Sequence, residues 1–86
     1  MLSALIHKAH LLQDVEPKQS FHIAKELAII ELNLLWYPDK FDDHMARMRS
    51  LAQHVLVTFK DSDKAKELAV LIRHKALLLE SHPHFN

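Results

Sequence analysis

The chain has 86 residues, which is room for one domain at most, and 49% of them are hydrophobic, which suffices for a modest core. Eleven basic and eleven acidic side chains cancel, and the sequence contains neither cysteine nor glycine. These features argue against a strongly basic nucleic-acid footprint, disulfides, cysteine-based metal sites, tight β-hairpins and phosphate-binding loops.

The sequence has no recognisable targeting segment. No cleavage site follows a clean apolar run near the start, and no stretch approaches the roughly 18–20 apolar residues that a membrane span requires. We therefore expect a cytoplasmic protein with no membrane partner. We also expect no cofactor and no nucleic-acid partner.

Residues 2–14 predict a short first helix, which ends before Pro17 because a residue preceding proline is driven out of the α region. Its apolar residues recur at helical spacing and form one stripe: Leu2, Leu5, Ile6, Ala9 and Leu12. His7, His10 and Asp14 follow one another at i, i+3 and i+7 on one edge of this helix. That spacing would suit metal ligands, but a solvated polar edge is the simpler interpretation, and we expect no metal.

Residues 17–36 predict a second helix, and Pro17 suits its first position. Two apolar stripes lie side by side on it. One stripe comprises Phe21, Ala24, Ala28, Leu32 and Leu35, and the other comprises Ile23, Leu27, Ile30 and Leu34. A helix that is apolar on most sides is typical of the centre of a fold, so we expect this helix to be the central one.

The stretch "WYPD" at residues 36–39 predicts a helix stop, a turn and a helix start. Asp39 has the side chain of a good N-cap for the helix that follows. Trp36 and Tyr37 are expected to cover the end of the core with their polar tips in water. Stacking of these rings on a base or another ring is the functional alternative.

Residues 40–59 and 63–81 predict the third and fourth helices, the last capped by Asp61, Ser62 or Asp63. The apolar face of the third helix comprises Phe41, Met45, Met48, Ala52, Val55, Leu56 and Phe59. The core stripe of the fourth comprises Ala65, Leu68, Ala69, Ile72, Ala76 and Leu79. Because short connections place consecutive helices side by side and antiparallel, we predict an all-α, up-down four-helix bundle with a short first helix. A three-helix core with a loosely docked N-terminal arm is the alternative.

Glu31 and His44 point into the apolar sectors of their helices at matched distances from the turn. Since a lone buried charge is costly, we expect them to form a buried hydrogen-bonded pair that fixes helix register. The functional interpretation is an acid/base couple or two metal ligands. A metal- or small-ligand-binding bundle, using Glu31 and His44 or His7, His10 and Asp14, is therefore the alternative function. No third catalytic group accompanies the pair, so we expect no enzyme.

A second apolar face lies on the fourth helix, around one of the eight histidines of the chain. It comprises Val70, Leu71, His74, Leu77 and Leu78. Monomers tend to avoid such an exposed stripe. Either the first helix or the turn at residues 36–37 covers it, or a partner does, most simply a second copy. We favour the partner, and predict a non-enzymatic protein–protein interaction module of the regulator, adaptor or chaperone-like kind.

Overall fold

Four helices make up the fold in the computed structural model, which describes residues 2–14 and 16–81. Helix α1 spans Ser3–His10 and continues as a 3₁₀ turn at Leu11–Asp14. Helix α2 spans Pro17–Trp36, and a second 3₁₀ turn at Pro38–Lys40 leads into α3, Phe41–Thr58. Helix α4 spans Asp63–Glu80. The predicted all-α bundle is confirmed, and the helix ends lie within a few residues of the predicted ones.

The helices pack in chain order around a common core. Helix α1 packs against α2 and α4, and α3 packs against α2 and α4, so α2 and α4 occupy diagonal corners of the bundle. The apolar stripe of α1 is buried at Leu2, Leu5, Ala9 and Leu12. The N-terminal segment is therefore part of the core, which removes the alternative of a three-helix core with a loose arm.

The predicted core stripes of α3 and α4 are also confirmed. In α3, Phe41, Met45, Met48, Ala52, Val55 and, just beyond its end, Phe59 are buried, and Leu56 packs against them half-exposed. In α4, all six predicted core residues are buried. On α3 a single apolar stripe leaves only one way to turn the helix toward the core. On α4, which has apolar residues on two sides, the regularly spaced stripe is the buried one.

The prediction of a central α2 is wrong. Its stripe of Ile23, Leu27, Ile30 and Leu34 is buried, but three large members of the other stripe, Phe21, Leu32 and Leu35, are exposed. In a bundle of four helices each helix has neighbours on one side only, so α2 cannot bury both stripes. We name the exposed side, with Phe21, Lys25, Leu32, Leu35 and Trp36, the α2 face.

The helix starts agree with the sequence in two cases out of three. Pro17 opens α2, and the Ser62 side chain caps α4 by accepting a hydrogen bond of 3.3 Å from the Ala65 backbone N–H. Asp39 was expected to cap α3 because of its residue type, but it does not. It lies inside the 3₁₀ turn, whose helical backbone excludes the extended conformation of an N-cap, and α3 begins without a side-chain cap.

The turn between α2 and α3 differs from its prediction in a second respect. The side chains of Trp36 and Tyr37 are both exposed, so they do not cover the end of the core. Trp36 is 70% exposed and continues the α2 face to the end of the helix. The sole tryptophan of the chain therefore lies on an outer surface, where it can report on contacts made there.

Candidate interaction surfaces

All five residues predicted to bind a partner lie together on the outside of α4: Val70, Leu71, His74, Leu77 and Leu78. The exposed fractions of Val70, Leu77 and Leu78 are 62%, 60% and 53%. At about 100° per residue, this surface is opposite the core stripe of α4. Neither α1 nor residues 36–37 shield this surface. The alternative that the chain itself covers it through one of these two segments is therefore excluded. We name this surface the α4 face.

Ion pairs attach α4 to both of its neighbours and use none of the five residues of the α4 face. Lys8 Nζ of α1 lies 2.8 Å from Glu67 Oε1, which precedes the face by one turn. Arg49 of α3 pairs with Glu80 on the flank of α4. The exposure of its apolar residues shows that the α4 face is directed away from the bundle.

The α2 face is the surface that sequence reasoning missed. Its residues include Phe21, 66% exposed, and Leu35, 74% exposed. A signal for its exposure was present in the sequence. Lys18 and Lys25 share its sector of the helix, whereas the buried stripe of α2 includes no charged residue, and lysine is almost never fully buried.

His44 is buried, with 6% of its surface exposed, and Glu31 is half-buried. The His44 ring nitrogen Nε2 lies 2.9 Å from the Tyr37 backbone oxygen. Because a carbonyl can only accept, Nε2 carries the proton in this bond. A bond from His44 to the Glu31 carboxylate would then need a second proton, on Nδ1, and the predicted Glu31–His44 pair stays a prediction.

The same histidine lines a shallow cavity of 420 Å³ at the α2–α3 turn. The other lining residues are Asn33, Tyr37, Lys40, Asp43 and Arg47. Two cationic side chains and one carboxylate give this cavity no strong preference for a ligand of either sign. Within residues 2–14 and 16–81, no group of three or more histidine or acidic side chains is placed to hold a metal ion.

The other candidate metal ligands, His7, His10 and Asp14, are exposed on α1 and its 3₁₀ extension. The Asp14 carboxylate is engaged from α4, since its Oδ2 lies 3.3 Å from Lys64 Nζ. A metal ion at Asp14 would have to compete with that ammonium group. The arrangement fits an edge that pairs charges across α1 and α4.

The α2 face and the α4 face are thus better candidates for a binding surface than the cavity at His44 or the histidines of α1. No helix of the described residues is long and apolar enough to cross a membrane. Comparisons with protein-family models, curated proteins and solved structures find no match to this chain.

Proposed function

We propose that this protein is a small non-enzymatic helical interaction module, a regulator, adaptor or chaperone-like subunit, that dimerises through its α4 face. The observation that supports this is the exposure of Val70, Leu77 and Leu78 on one side of one helix. Burying such a stripe against another protein removes apolar surface from water, which stabilises the complex by roughly 25 cal/mol for each Å² buried.

The order of residues on the α4 face suits a second copy of the same chain. Val70 and Leu78 lie four residues before and after His74, and Leu71 and Leu77 lie three residues before and after it. When two such helices pack antiparallel about a two-fold axis at His74, residues equally distant from the axis face each other. Val70 of one copy then meets Leu78 of the other, and Leu71 meets Leu77.

The ends of this pattern are polar, as the rim of an interface should be. Seven residues from His74 in the two directions are Glu67 and Ser81, both exposed. A two-fold interface requires a self-complementary surface, and this face has one in its sequence order. The symmetry favours a homodimer over an unrelated partner.

The experiment is the mass in solution of the wild type and of a Leu77→Glu variant. We expect a wild-type dimer and a variant that is a folded monomer, because the variant would bury a charge at the centre of the contact. Val57→Glu is the matched control, since Val57 is equally exposed but lies on α3. A monomeric wild type, or a Leu77→Glu variant of dimeric mass, would contradict the proposal.

A further inference from the structure

The exposed residues of α2 share one electrostatic property. They are Pro17, Lys18, Phe21, His22, Lys25, Leu32, Leu35 and Trp36. Four of the eight are large and apolar, three are basic, and none is acidic. The two glutamates of this helix, Glu26 and Glu31, are half-buried at its flanks.

The apolar members form a ridge on one side of the helix, with Phe21 near its start and the other three in its last two turns. Phe21, Leu32, Leu35 and Trp36 fall within a sector of about 100°, opposite the buried stripe. At 1.5 Å per residue, Phe21 and Trp36 are about 22 Å apart along the axis. The α2 face is thus a long, convex surface that a flat partner can contact along its whole length.

We propose that the α2 face binds the surface of an anionic phospholipid bilayer, with α2 lying parallel to the membrane plane. Interfacial helices insert large apolar and aromatic residues into the membrane surface, and their lysines attract anionic lipid. Trp36 and Tyr37 are suited to the boundary between headgroups and acyl chains. Lys18 and Lys25 are placed to contact lipid phosphates. This contact needs no membrane span, and none of the described helices is one.

The position of Lys25 distinguishes a bilayer from a protein as the occupant. In angle around the helix, Lys25 lies between the directions of Leu32 and Trp36, inside the apolar ridge. Lysine is depleted at the core of protein–protein interfaces. At a bilayer, a lysine extends its apolar stem along the ridge and places its ammonium group among the phosphates.

Besides the half-buried Glu26 and Glu31 at the flanks, exposed acidic residues lie at the two ends of the ridge. Glu16 precedes α2, and Asp39 lies in the turn after it, beside the exposed Lys40. The attraction to anionic lipid therefore centres on Lys18 and Lys25 in the N-terminal half of α2, and added salt should weaken it.

The α2 and α4 faces point away from the bundle at diagonal corners. Membrane contact through α2 would leave the α4 face accessible, so the inference does not depend on the proposed dimer.

The test uses the emission of Trp36, the sole tryptophan, together with sedimentation of the full chain with vesicles. One set of vesicles contains equal parts of phosphatidylcholine and phosphatidylserine, and the other contains phosphatidylcholine alone. We expect a shift of the emission to shorter wavelength, and co-sedimentation, with the anionic vesicles only. Binding to neither kind of vesicle, or equally to both, would overturn the proposal. In the first case a protein would be the remaining kind of occupant.

Two substitutions on the ridge then locate the contact. Lys25→Glu should lower the partition coefficient at least about fivefold, which is the effect of one basic residue near an anionic surface. Leu35→Ser should lower it as well, and because the side chain is exposed the fold should be retained. Lys66→Glu makes the same charge change on α4, and Val57→Ser removes an exposed apolar side chain from α3; both should leave it unchanged. An unchanged partition coefficient in both α2 variants would refute the assignment to this face.

Discussion

Helices α2 and α3 are antiparallel neighbours of similar length, 20 and 18 residues, yet the surfaces they expose to water differ in polarity. Helix α3 exposes Val57 as its one large apolar side chain among the described residues, beside acidic, basic and amide groups. Helix α2 exposes Phe21, Leu32, Leu35 and Trp36. Both helices contribute buried residues to one core, so they differ in the side chains on their solvent-exposed sides.

This difference shows what an apolar pattern can and cannot predict. One stripe, as in α3, has to face inward, because that is where apolar surface leaves water. Two stripes, as in α2, are both candidates for the core by apolar spacing alone, and in the sequence only Lys18 and Lys25, which share a sector with one of them, favour the other. The stripe left outside is then a surface available for binding.

The largest expected change in stability comes from comparing one alanine substitution in each stripe of α2. Leu27→Ala removes a fully buried side chain and should lower the free energy of unfolding by about 2–5 kcal/mol. Leu32→Ala removes the same atoms from an exposed position and should change it by less than about 0.5 kcal/mol. Urea denaturation of both variants measures the contrast. Equal losses in the two would mean that α2 has a different rotation in the bundle.

Much of the fold could be predicted from single stripes, caps and prolines. The inward faces of α1, α3 and α4, the Ser62 cap and the start at Pro17 all follow from local rules. The five residues of the α4 face could also be named, since they remain after the core stripe is assigned. The partner that binds the α4 face could not be named, because the exposure of a surface does not identify its ligand.

The remainder depends on tertiary neighbours that no local pattern specifies. The acceptor of the buried His44 is a backbone oxygen, that of Tyr37, and every residue offers one. Ser20 is fully buried for the same kind of reason, since its hydroxyl donates to the Ala9 backbone oxygen of α1 at 2.7 Å. The sequence marks neither contact, because backbone acceptors are identical at every position.

A smaller effect compares one serine of α2 with one of α3. Ser20→Ala removes the buried hydrogen bond to Ala9 and should cost about 0.5–1.5 kcal/mol. Ser50→Ala changes an exposed residue of α3 and should be neutral or slightly stabilising, because alanine has the higher helix propensity. Thermal denaturation of both variants tests this, and equal effects would mean that the Ser20 bond adds nothing to the α1–α2 contact.

The smallest effect concerns the polar exterior of α3. Arg49 pairs with Glu80 of α4, but the two side chains are 49% and 35% exposed, so water screens much of their attraction. In a double-mutant cycle of Arg49→Gln and Glu80→Gln, we expect a coupling below about 1 kcal/mol that declines in high salt. A coupling above about 2 kcal/mol would show that α3 is oriented by its charges as well as by its stripe. A small coupling leaves apolar burial as the force that orients α3. Helices α2 and α3 would then differ only in how many stripes compete for the core.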